Sequence, residues 1–206
     1  MTITNGLITA DEYGEYTGVD VPSTPARATQ WDDAATVASR WVEKYTGRQF
    51  HDSGASATAR YFDPMGLVVM IDDCRSITSV EVDSGDDGTH ATTVTNYQAL
   101  PAYGRDPLLG SVPYTSLRAL SWLVWPCTND RRGSVKVTGL WGWSAVPDDV
   151  KRATAILTQD LLRDPDSAFG GLAVAAEGVV LGARIPARVT GLLAAYVRVE
   201  RTLGVA

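Results

Sequence analysis

The stretch VTGLWGWSAVPDDVKRATAIL, residues 137–157, decides the fold because the structural period of the chain changes within it. Val137 and Leu140 belong to a β-branched run that is typical of a strand. Gly139 and Gly142 interrupt this run, and glycines inside strands mark bulges or places where two backbones approach closely. The first half of the stretch therefore predicts a strand with such a feature.

The second half predicts a helix from Pro147 to about Arg163. Proline suits the first helical position because its φ is already fixed and its missing N–H is not needed there. Asp148 and Asp149 follow in the first turn, where carboxylates oppose the positive end of the helix dipole. The apolar stripe of an amphipathic helix then continues along Val150, Ala153, Leu157 and Leu161.

A structural junction is predicted where the strand ends and the helix begins. Its residues are Trp141, Trp143, Pro147, Asp148 and Asp149. We expect the two indoles to fill the space between a β module and a helical module, because aromatic side chains bury large areas. Such a junction would hold the two modules rigidly.

Helices are also predicted near the start of the chain. Thr9 and Glu12 form a capping-box pattern that predicts a short helix over 9–17. A second helix is predicted from about Pro25 or Thr29 to Tyr45, with Gly47 just beyond its end. The apolar face of this second helix comprises Trp31, Ala34, Ala35, Ala38, Trp41, Val42 and Tyr45.

From residue 57 to residue 143 the period of apolar residues changes to two, which predicts strands. The piece DSGDDGTH, residues 83–90, is predicted to be a hairpin turn. The predicted strands cover 58–62, 66–72, 77–83, 90–100, 116–124 and 134–143.

The order of these elements predicts an α+β fold in a single domain over 1–206. Helical parts at 7–50 and 147–206, the latter including a last helix at 186–203, form a small bundle. A β-rich module at 57–143 is inserted between them.

Charge and composition disfavour three classes of protein, which are nucleic-acid-binding, transmembrane and secreted proteins. The net charge of −6 lies entirely in residues 1–146, which hold 17 acids and 11 bases, whereas residues 147–206 hold seven of each. No basic surface for gripping phosphates is indicated, so nucleic-acid binding is disfavoured as the main task. No apolar run is long enough for a transmembrane helix, and the first residues lack the pattern of a secretion signal.

Residues that carry chemistry are sparse. Cys74 and Cys127 lie 53 residues apart without neighbouring histidines, which is typical of reduced, buried thiols. His51 and His90 are interpreted as solvated surface groups rather than acid–base catalysts. The acidic residues within 83–88 lack the spacing of a calcium loop. We therefore expect no enzymatic activity, no metal site and no cofactor.

Six tryptophans are many for 206 residues. Trp31 and Trp41 lie on the apolar face of a predicted helix and are interpreted as core. Trp141 and Trp143, at i and i+2, share one face of a strand. Such a pair could pack in the core, anchor a protein interface or stack on sugars.

The stretch GGLAVAAEGVVLGARIP, residues 170–186, contains few large side chains. It is interpreted either as a flexible surface loop or as a segment that orders against a neighbouring subunit. The alternation of Val179 and Leu181 would suit strand addition in the second case.

Seven short segments follow one another along residues 7–200 in a characteristic order. They are ARYFD (59–63), ITSVEVD (77–83), NYQAL (96–100), PYTSL (113–117), Trp-Pro (125–126), VKVTGLWGWSAVPDDVKRA (135–153) and LLAAYVR (192–198). Their order and spacing resemble the head-tail connector (adaptor) proteins of long-tailed bacteriophages.

The resemblance implies a structural, non-enzymatic protein of the virion neck, assembled in the host cytoplasm. Such adaptors form a ring, usually of twelve subunits, beneath the portal, and they extend the DNA channel towards the tail. The implied partners are the portal protein, a downstream neck or stopper protein and further copies of the chain. Double-stranded DNA would pass through without sequence-specific binding, and no membrane is involved. An acidic channel wall fits this role, because a wall that does not bind phosphates lets DNA slide.

Two alternatives remain. The chain could be another neck ring protein, such as a stopper or tail-completion protein, although a β-barrel would then be expected. It could also be a carbohydrate-binding module that uses its tryptophans, which requires at least two exposed, coplanar indoles.

In the head-tail connector family that the sequence resembles, segments near the C-terminus commonly contact the portal or a neighbouring subunit. The predicted partner-interface residues are therefore Arg188, Tyr196, Arg198 and Arg201, together with Val179 and Leu181. Arg131 and Arg132 precede the last predicted strand and could meet an acidic neighbour or form a solvated hairpin tip.

Overall fold

The structure is a computed structural model that describes residues 6–21, 24–121, 123–126, 133–163, 173–174, 180–181 and 186–198. The chain divides into two compact units. One unit comprises residues 1–48 and 146–206 and is built mainly from helices, and the other comprises residues 49–145 and is built around an antiparallel sheet. The fold class is therefore α+β, as predicted.

The described helices of the first unit are α1 (Ala10–Thr17), α2 (Pro25–Thr46), α3 (Asp148–Arg163) and α4 (Ala187–Leu193). The predicted capping box is confirmed, because the Glu12 amide donates to Thr9 Oγ1 at 3.3 Å and the Thr9 amide donates to Glu12 Oε2 at 2.9 Å. Gly18 and Gly47 end α1 and α2 in the left-handed conformation that glycine adopts most easily. None of the helices in the described part of the chain is long and apolar enough to cross a bilayer.

The last predicted helix is wrong in length. It was expected to reach residue 203, but α4 ends at Leu193 and a 3₁₀ turn over Ala194–Tyr196 follows. Val197 is then extended, and the Arg198 amide donates to the carbonyl oxygen of Thr46 at 2.9 Å. That bond ties the chain to the end of α2 instead of continuing the helix.

The core of the helical unit forms where small residues let α2 and α3 approach. Ala35 on α2 and Ala155 on α3 are fully buried in one cluster. Trp31 joins this cluster and packs edge-on against Tyr13 of α1, with ring centroids 5.7 Å apart. Other core residues of the unit are Leu7, Ala38, Val42, Val150, Ala153, Leu157, Val189 and Leu193.

The strands of the second unit are β1 (Thr58–Phe62), β2 (Pro64–Met65), β3 (Val68–Val82), β4 (Thr92–Thr93), β5 (Tyr97–Leu100), β6 (Arg105–Asp106), β7 (Gly110–Ser111), β8 (Tyr114–Ala119) and β9 (Val135–Trp141). The main sheet has the order β1-β9-β3-β8-β5, and β2 and β4 also pair with β3. All these pairings are antiparallel. Strands β6 and β7 form a separate two-stranded sheet. In the helical unit, β10 (Ala173–Val174) and β11 (Val180–Leu181) pair with each other.

Strand β3 is a correction to the prediction of two strands at 66–72 and 77–83. It is one strand of 15 residues whose buried side chains change face at Asp73 and Cys74, which are both buried. The register with both neighbouring strands shifts here, so the strand is bulged rather than broken. The break in apolar alternation that suggested two strands is the sequence mark of this bulge.

Three other strand predictions were too long. The segment 134–143 shortens to β9, so Gly142 and Trp143 lie beyond the end of that strand. The segment 90–100 divides into β4 and β5, and 116–124 ends at Ala119. Beyond Ala119, Ser121 adopts a left-handed φ of 54°, which turns the chain away from the sheet.

Gly139 in β9 and Gly142 just after β9 lie where backbones approach closely, as predicted. A Cβ atom on Gly139 would be 2.6 Å from the carbonyl oxygen of Ser76 in β3. Gly142 has a φ of 90°, and a Cβ there would overlap the carbonyl group of His51. The Gly142 amide also donates to the carbonyl oxygen of Asp73 at 2.7 Å, directly at the bulge.

Replacing Gly142 with alanine is expected to lower the free energy of unfolding by about 3 kcal/mol or more, because overlap adds to backbone strain. Urea denaturation followed by tryptophan fluorescence measures this change. The matched control is Gly191→Ala in α4, where a Cβ meets nothing within 4 Å. That change should raise stability by about 0.5–1 kcal/mol. Wild-type stability of Gly142→Ala would contradict the close approach.

Candidate interaction surfaces

Nucleophilic and metal-binding groups are not assembled in the described part of the chain. No cluster of three or more His, Cys, Asp or Glu side chains that could hold a metal ion occurs there. Cys74 is buried, and burial raises the pKa of its thiol to about 11. This thiol stays protonated at neutral pH and is a poor nucleophile. Cys127 lies outside the described residues.

The acidic turn after β3 binds its own backbone. Asp83 is buried, and its carboxylate accepts hydrogen bonds from the amides of Gly88 at 2.7 Å and Asp87 at 3.3 Å. Burial opposes ionisation of Asp83, but these backbone bonds outweigh it and lower its pKa. Residues 83–90 form the turn between β3 and β4, which confirms the predicted hairpin.

The histidines are less exposed than predicted. His90 is half-buried, with Nε2 2.8 Å from the carbonyl oxygen of Gly133 and its ring 5.1 Å from the ring of Tyr61. His51 is also half-buried, and its Nε2 lies 3.2 Å from Nε2 of Gln49. Both rings therefore belong to packed loops.

The predicted tryptophan pair is buried within the sheet unit, but only Trp141 belongs to β9, and Trp143 follows the end of that strand. Trp141 donates its indole N–H to the carbonyl oxygen of Thr58 at 2.9 Å, and the Arg60 guanidinium lies 4.5 Å from its ring centroid. Trp143 packs against Phe50 with centroids 5.4 Å apart. Neither indole presents the exposed, coplanar surface that sugar stacking needs, since they are 0% and 4% exposed.

Trp31 and Trp125 are also buried, which leaves half-buried Trp41 as the most accessible tryptophan that the structure describes. Trp41 stacks on Tyr45 with centroids 5.0 Å apart. Trp122 lies outside the described residues.

The structure places the predicted C-terminal interface residues in different environments. Arg188 is exposed on α4. Tyr196 is buried, and its carbonyl oxygen accepts a hydrogen bond from Arg48 Nε at 2.8 Å. Burial, with the negative charges of Asp149 and Asp148, raises the pKa of the Tyr196 phenol. Arg198 is half-buried. Among these three residues, Arg188 is therefore the one whose side chain is exposed and accessible to a partner.

Four other predicted interface residues, Arg131, Arg132, Val179 and Arg201, lie outside the described residues. Leu181 belongs to β11, whose backbone pairs with β10 of the same chain. Addition of this segment to a neighbouring subunit stays a prediction.

Of the predicted junction residues, Asp148 and Asp149 lie exposed in the first turn of α3, as expected. The helix begins one residue later than predicted, and Pro147 instead supplies the carbonyl oxygen that accepts from the Lys151 amide at 3.0 Å. The rigidity of the junction stays a prediction.

One ion pair fastens α1 to α3. Lys151 Nζ lies 2.6 Å from Glu12 Oε1, and both side chains are about three-quarters buried. Burial opposes the charge of Glu12, but the Lys151 ammonium and the Thr9 amide outweigh it, so the pKa of Glu12 is lowered. The same pair raises the pKa of Lys151.

Glu12→Gln is expected to lower the free energy of unfolding at pH 7 by about 1 kcal/mol, because it removes a partly buried ion pair. A lowered pKa contributes stability above the unfolded value of about 4.3, and that contribution is lost as pH falls through the folded value. The difference between variant and wild type should therefore shrink in acid. Denaturant titrations at several pH values test this, with exposed Glu15→Gln as the control. A difference that does not change with pH would contradict the assignment.

Two apolar surfaces on the sheet unit were not predicted from the sequence. The first, which we call the tip loop, comprises residues 101–113 between β5 and β8. Tyr103 and Leu108 project from it and are 91% and 89% exposed. The Val112 amide donates to the carbonyl oxygen of Gly104 at 2.9 Å, and Asp106 Oδ1 accepts from the Leu108 amide at 2.8 Å. The loop is therefore held in one conformation.

The second surface, which we call the corner, comprises Met65, Leu67, Leu120 and Val124. Their exposed fractions are 74%, 58%, 39% and 76%. The Leu67 carbonyl oxygen accepts from the Ala119 amide at 2.8 Å and from Trp125 Nε1 at 3.0 Å. This one oxygen thus brings three separate segments to the same end of the sheet. Exposed apolar side chains grouped in this way are typical of protein-binding surfaces.

Comparison with solved structures finds the same fold along the whole chain. One similar chain lies in the neck of an empty gene transfer agent particle computed with sixfold symmetry, at 16% identity and a TM-score of 0.57. Another lies in the virion of a native gene transfer agent particle, at 17% identity and a TM-score of 0.56. A third lies in the neck of a native particle computed with twelvefold symmetry, at 16% identity and a TM-score of 0.51.

Each of these matches covers 100% of this chain and 96% of the other chain. At such identities the likeness is one of fold. No family model matches the sequence, and no curated protein matches it.

Proposed function

We propose that this chain is a structural protein of a phage-like particle neck, a head-to-tail adaptor that forms a ring beneath the portal and extends the DNA channel to the tail. The observation that carries the proposal is the agreement of the whole fold with chains from particle necks. Because the matches span 100% of this chain and 96% of the others, the likeness extends over the residues of both units rather than over one common module.

The order of short segments along the sequence, from ARYFD to LLAAYVR, supports the same conclusion independently of the fold. The proposed partners are the portal protein, the next neck or stopper protein and further copies of the chain, in a ring of about twelve. The ring would be assembled in the host cytoplasm and reside in the virion neck.

The chemistry of the described residues also supports a structural role. The Cys74 thiol is protonated at neutral pH. In the turn at 83–90, the Asp83 carboxylate accepts hydrogen bonds from backbone amides of the same turn. The described residues contain no metal-binding cluster. The net charge of −6 suits a channel wall along which DNA slides, since few basic groups are available to hold phosphates.

Another position in the neck, such as that of a stopper or tail-completion protein, is the second candidate. A fold shared with neck chains supports both candidates. The helical unit favours the adaptor, because a stopper is expected to be mainly a β-barrel. Carbohydrate binding loses support, since Trp141 and Trp143 are buried.

Quantitative mass spectrometry of purified particles is expected to find about a dozen copies of this chain per particle, in line with a twelvefold ring. The copy number is measured against that of the major capsid protein. Imaging of the neck then shows whether the ring contacts the portal directly. A ring separated from the portal by another protein would favour the stopper alternative, and absence of the chain from particles would exclude both.

Arg188→Glu is expected to reduce the yield of joined head–tail particles by about tenfold, because reversing an interface charge creates repulsion. Arg188 is exposed, so the unfolding midpoint should not change. Counting particles by electron microscopy after complementation measures the effect. Arg152→Glu, which reverses an exposed charge on α3, is the matched control. Equal yields from the two variants would remove Arg188 from the docking surface.

A further inference from the structure

The tip loop and the corner lie at opposite ends of one strand. The tip loop leads into β8 at Tyr114, whereas the corner begins where β8 ends at Ala119, whose amide donates to Leu67. Six residues of antiparallel strand separate the two surfaces by ~17 Å. Both surfaces belong to the sheet unit, so their separation is set by the sheet itself.

We propose that the tip loop of one copy of the chain docks on the corner of the next copy in the neck ring. This inference rests on the proposed function, because it assumes a closed ring of identical subunits. It goes further by assigning the contact between those subunits to Tyr103 and Leu108 on one side and to the four residues of the corner on the other.

Ring geometry favours a second copy as the occupant. In a cyclic assembly of more than two subunits, each contact joins two different surfaces, and every subunit must carry both. Those surfaces must face away from each other so that the chain of contacts can continue around the ring. The two apolar surfaces lie at opposite ends of β8, so they are separate and can serve as the two sides of such a contact.

The chemistry of the two surfaces is complementary. Tyr103 and Leu108 offer apolar area, and the tyrosine hydroxyl can remain at a hydrated rim. Asp106 is the acidic group of the tip loop, and its Oδ1 accepts from the amides of Leu108 and Leu109 within the loop. The corner offers four apolar side chains, three of them aliphatic and one a thioether. Aromatic anchors on such apolar surfaces often dominate binding energy.

Both surfaces are held in conformations that cost energy. Tyr103 has a φ of 61° and Ser121, between Leu120 and Val124, has a φ of 54°. Non-glycine residues persist in this region only where surrounding bonds impose it. The Gly104 amide donates to Pro101 and the Leu123 amide to Leu120, at 3.0 and 3.2 Å. Surfaces organised before binding lose less entropy on docking.

The contact would form the apolar centre of the subunit interface rather than all of it. A stable interface buries ~800 Å² on each partner. One tyrosine supplies at most ~250 Å². Further contact area would surround the docked loop.

Cysteine crosslinking in assembled particles tests the proposal. Leu108 and Val124 are replaced by cysteine in a chain that carries Cys127→Ser, which removes the natural thiol three residues after Val124 in the sequence. The full-length variant is supplied in place of the natural chain, and particles are treated with a short bis-maleimide. We expect a ladder of covalent multimers of the chain that ends at the size of the ring.

Two controls define the result. Leu108→Cys alone should remain monomeric, and Ser84→Cys with Val124→Cys, which carries the same number of exposed thiols, should give no ladder. Leu108→Asp should retain the wild-type unfolding midpoint yet enter particles at least about tenfold less than Ser84→Asp, because a charge would enter the apolar contact.

Several outcomes would overturn the inference. If about a dozen copies are present in the neck but the paired cysteines give no ladder, the subunits meet elsewhere and only the adaptor proposal stands. Crosslinking of Leu108→Cys to a different neck protein would assign the tip loop to that partner and likewise exclude the second copy. Absence of the chain from the neck would overturn the inference and the proposed function together.

Discussion

The sheet unit depends on the change of face in the middle of β3. At Asp73 and Cys74 two consecutive side chains turn inward, and β3 exchanges β8 for β9 as its principal partner. This exchange is possible because Gly139 and Gly142 let β9 come within van der Waals contact of the backbones of Ser76 and His51. A side chain on Gly139 would collide with the backbone of β3, and one on Gly142 would collide with the loop at His51. The bulge in β3 and the two glycines therefore depend on one another: the glycines allow the close approach of the backbones, and the bulge supplies the carbonyl group that the Gly142 amide binds.

The elements that depend only on a few neighbouring residues could be predicted from the sequence. The capping box of Thr9 and Glu12, the glycine after each early helix and the strand at Thr58–Phe62 are each encoded within a few residues. The close backbone approach at Gly139 was one of the two features, with a bulge, that a glycine inside a β-branched run predicted. These elements were sufficient to predict the α+β class.

The features that could not be predicted depend on residues far apart in the sequence. The bulge in β3 looked like a gap between two strands, because its continuity depends on partners that lie elsewhere in the chain. The burial of Trp141 and Trp143 depends on Arg60, Thr58 and Phe50. The corner has no signal in the sequence, since the carbonyl oxygen of Leu67 gathers segments more than 50 residues apart. From the sequence alone, the apolar side chains of the corner cannot be distinguished from core residues.

The helical unit is discontinuous, and this has a consequence for the order in which the chain folds during synthesis. Residues 49–145 form one uninterrupted stretch, so the sheet has all its strands once they have left the ribosome. The first two helices emerge earlier but must wait for α3, because Trp31 and Ala35 are buried in one cluster with Ala155. During that interval the part of the α2 apolar face that packs on α3 is uncovered, and a chaperone could bind there. The segment made first is therefore among the last to become protected.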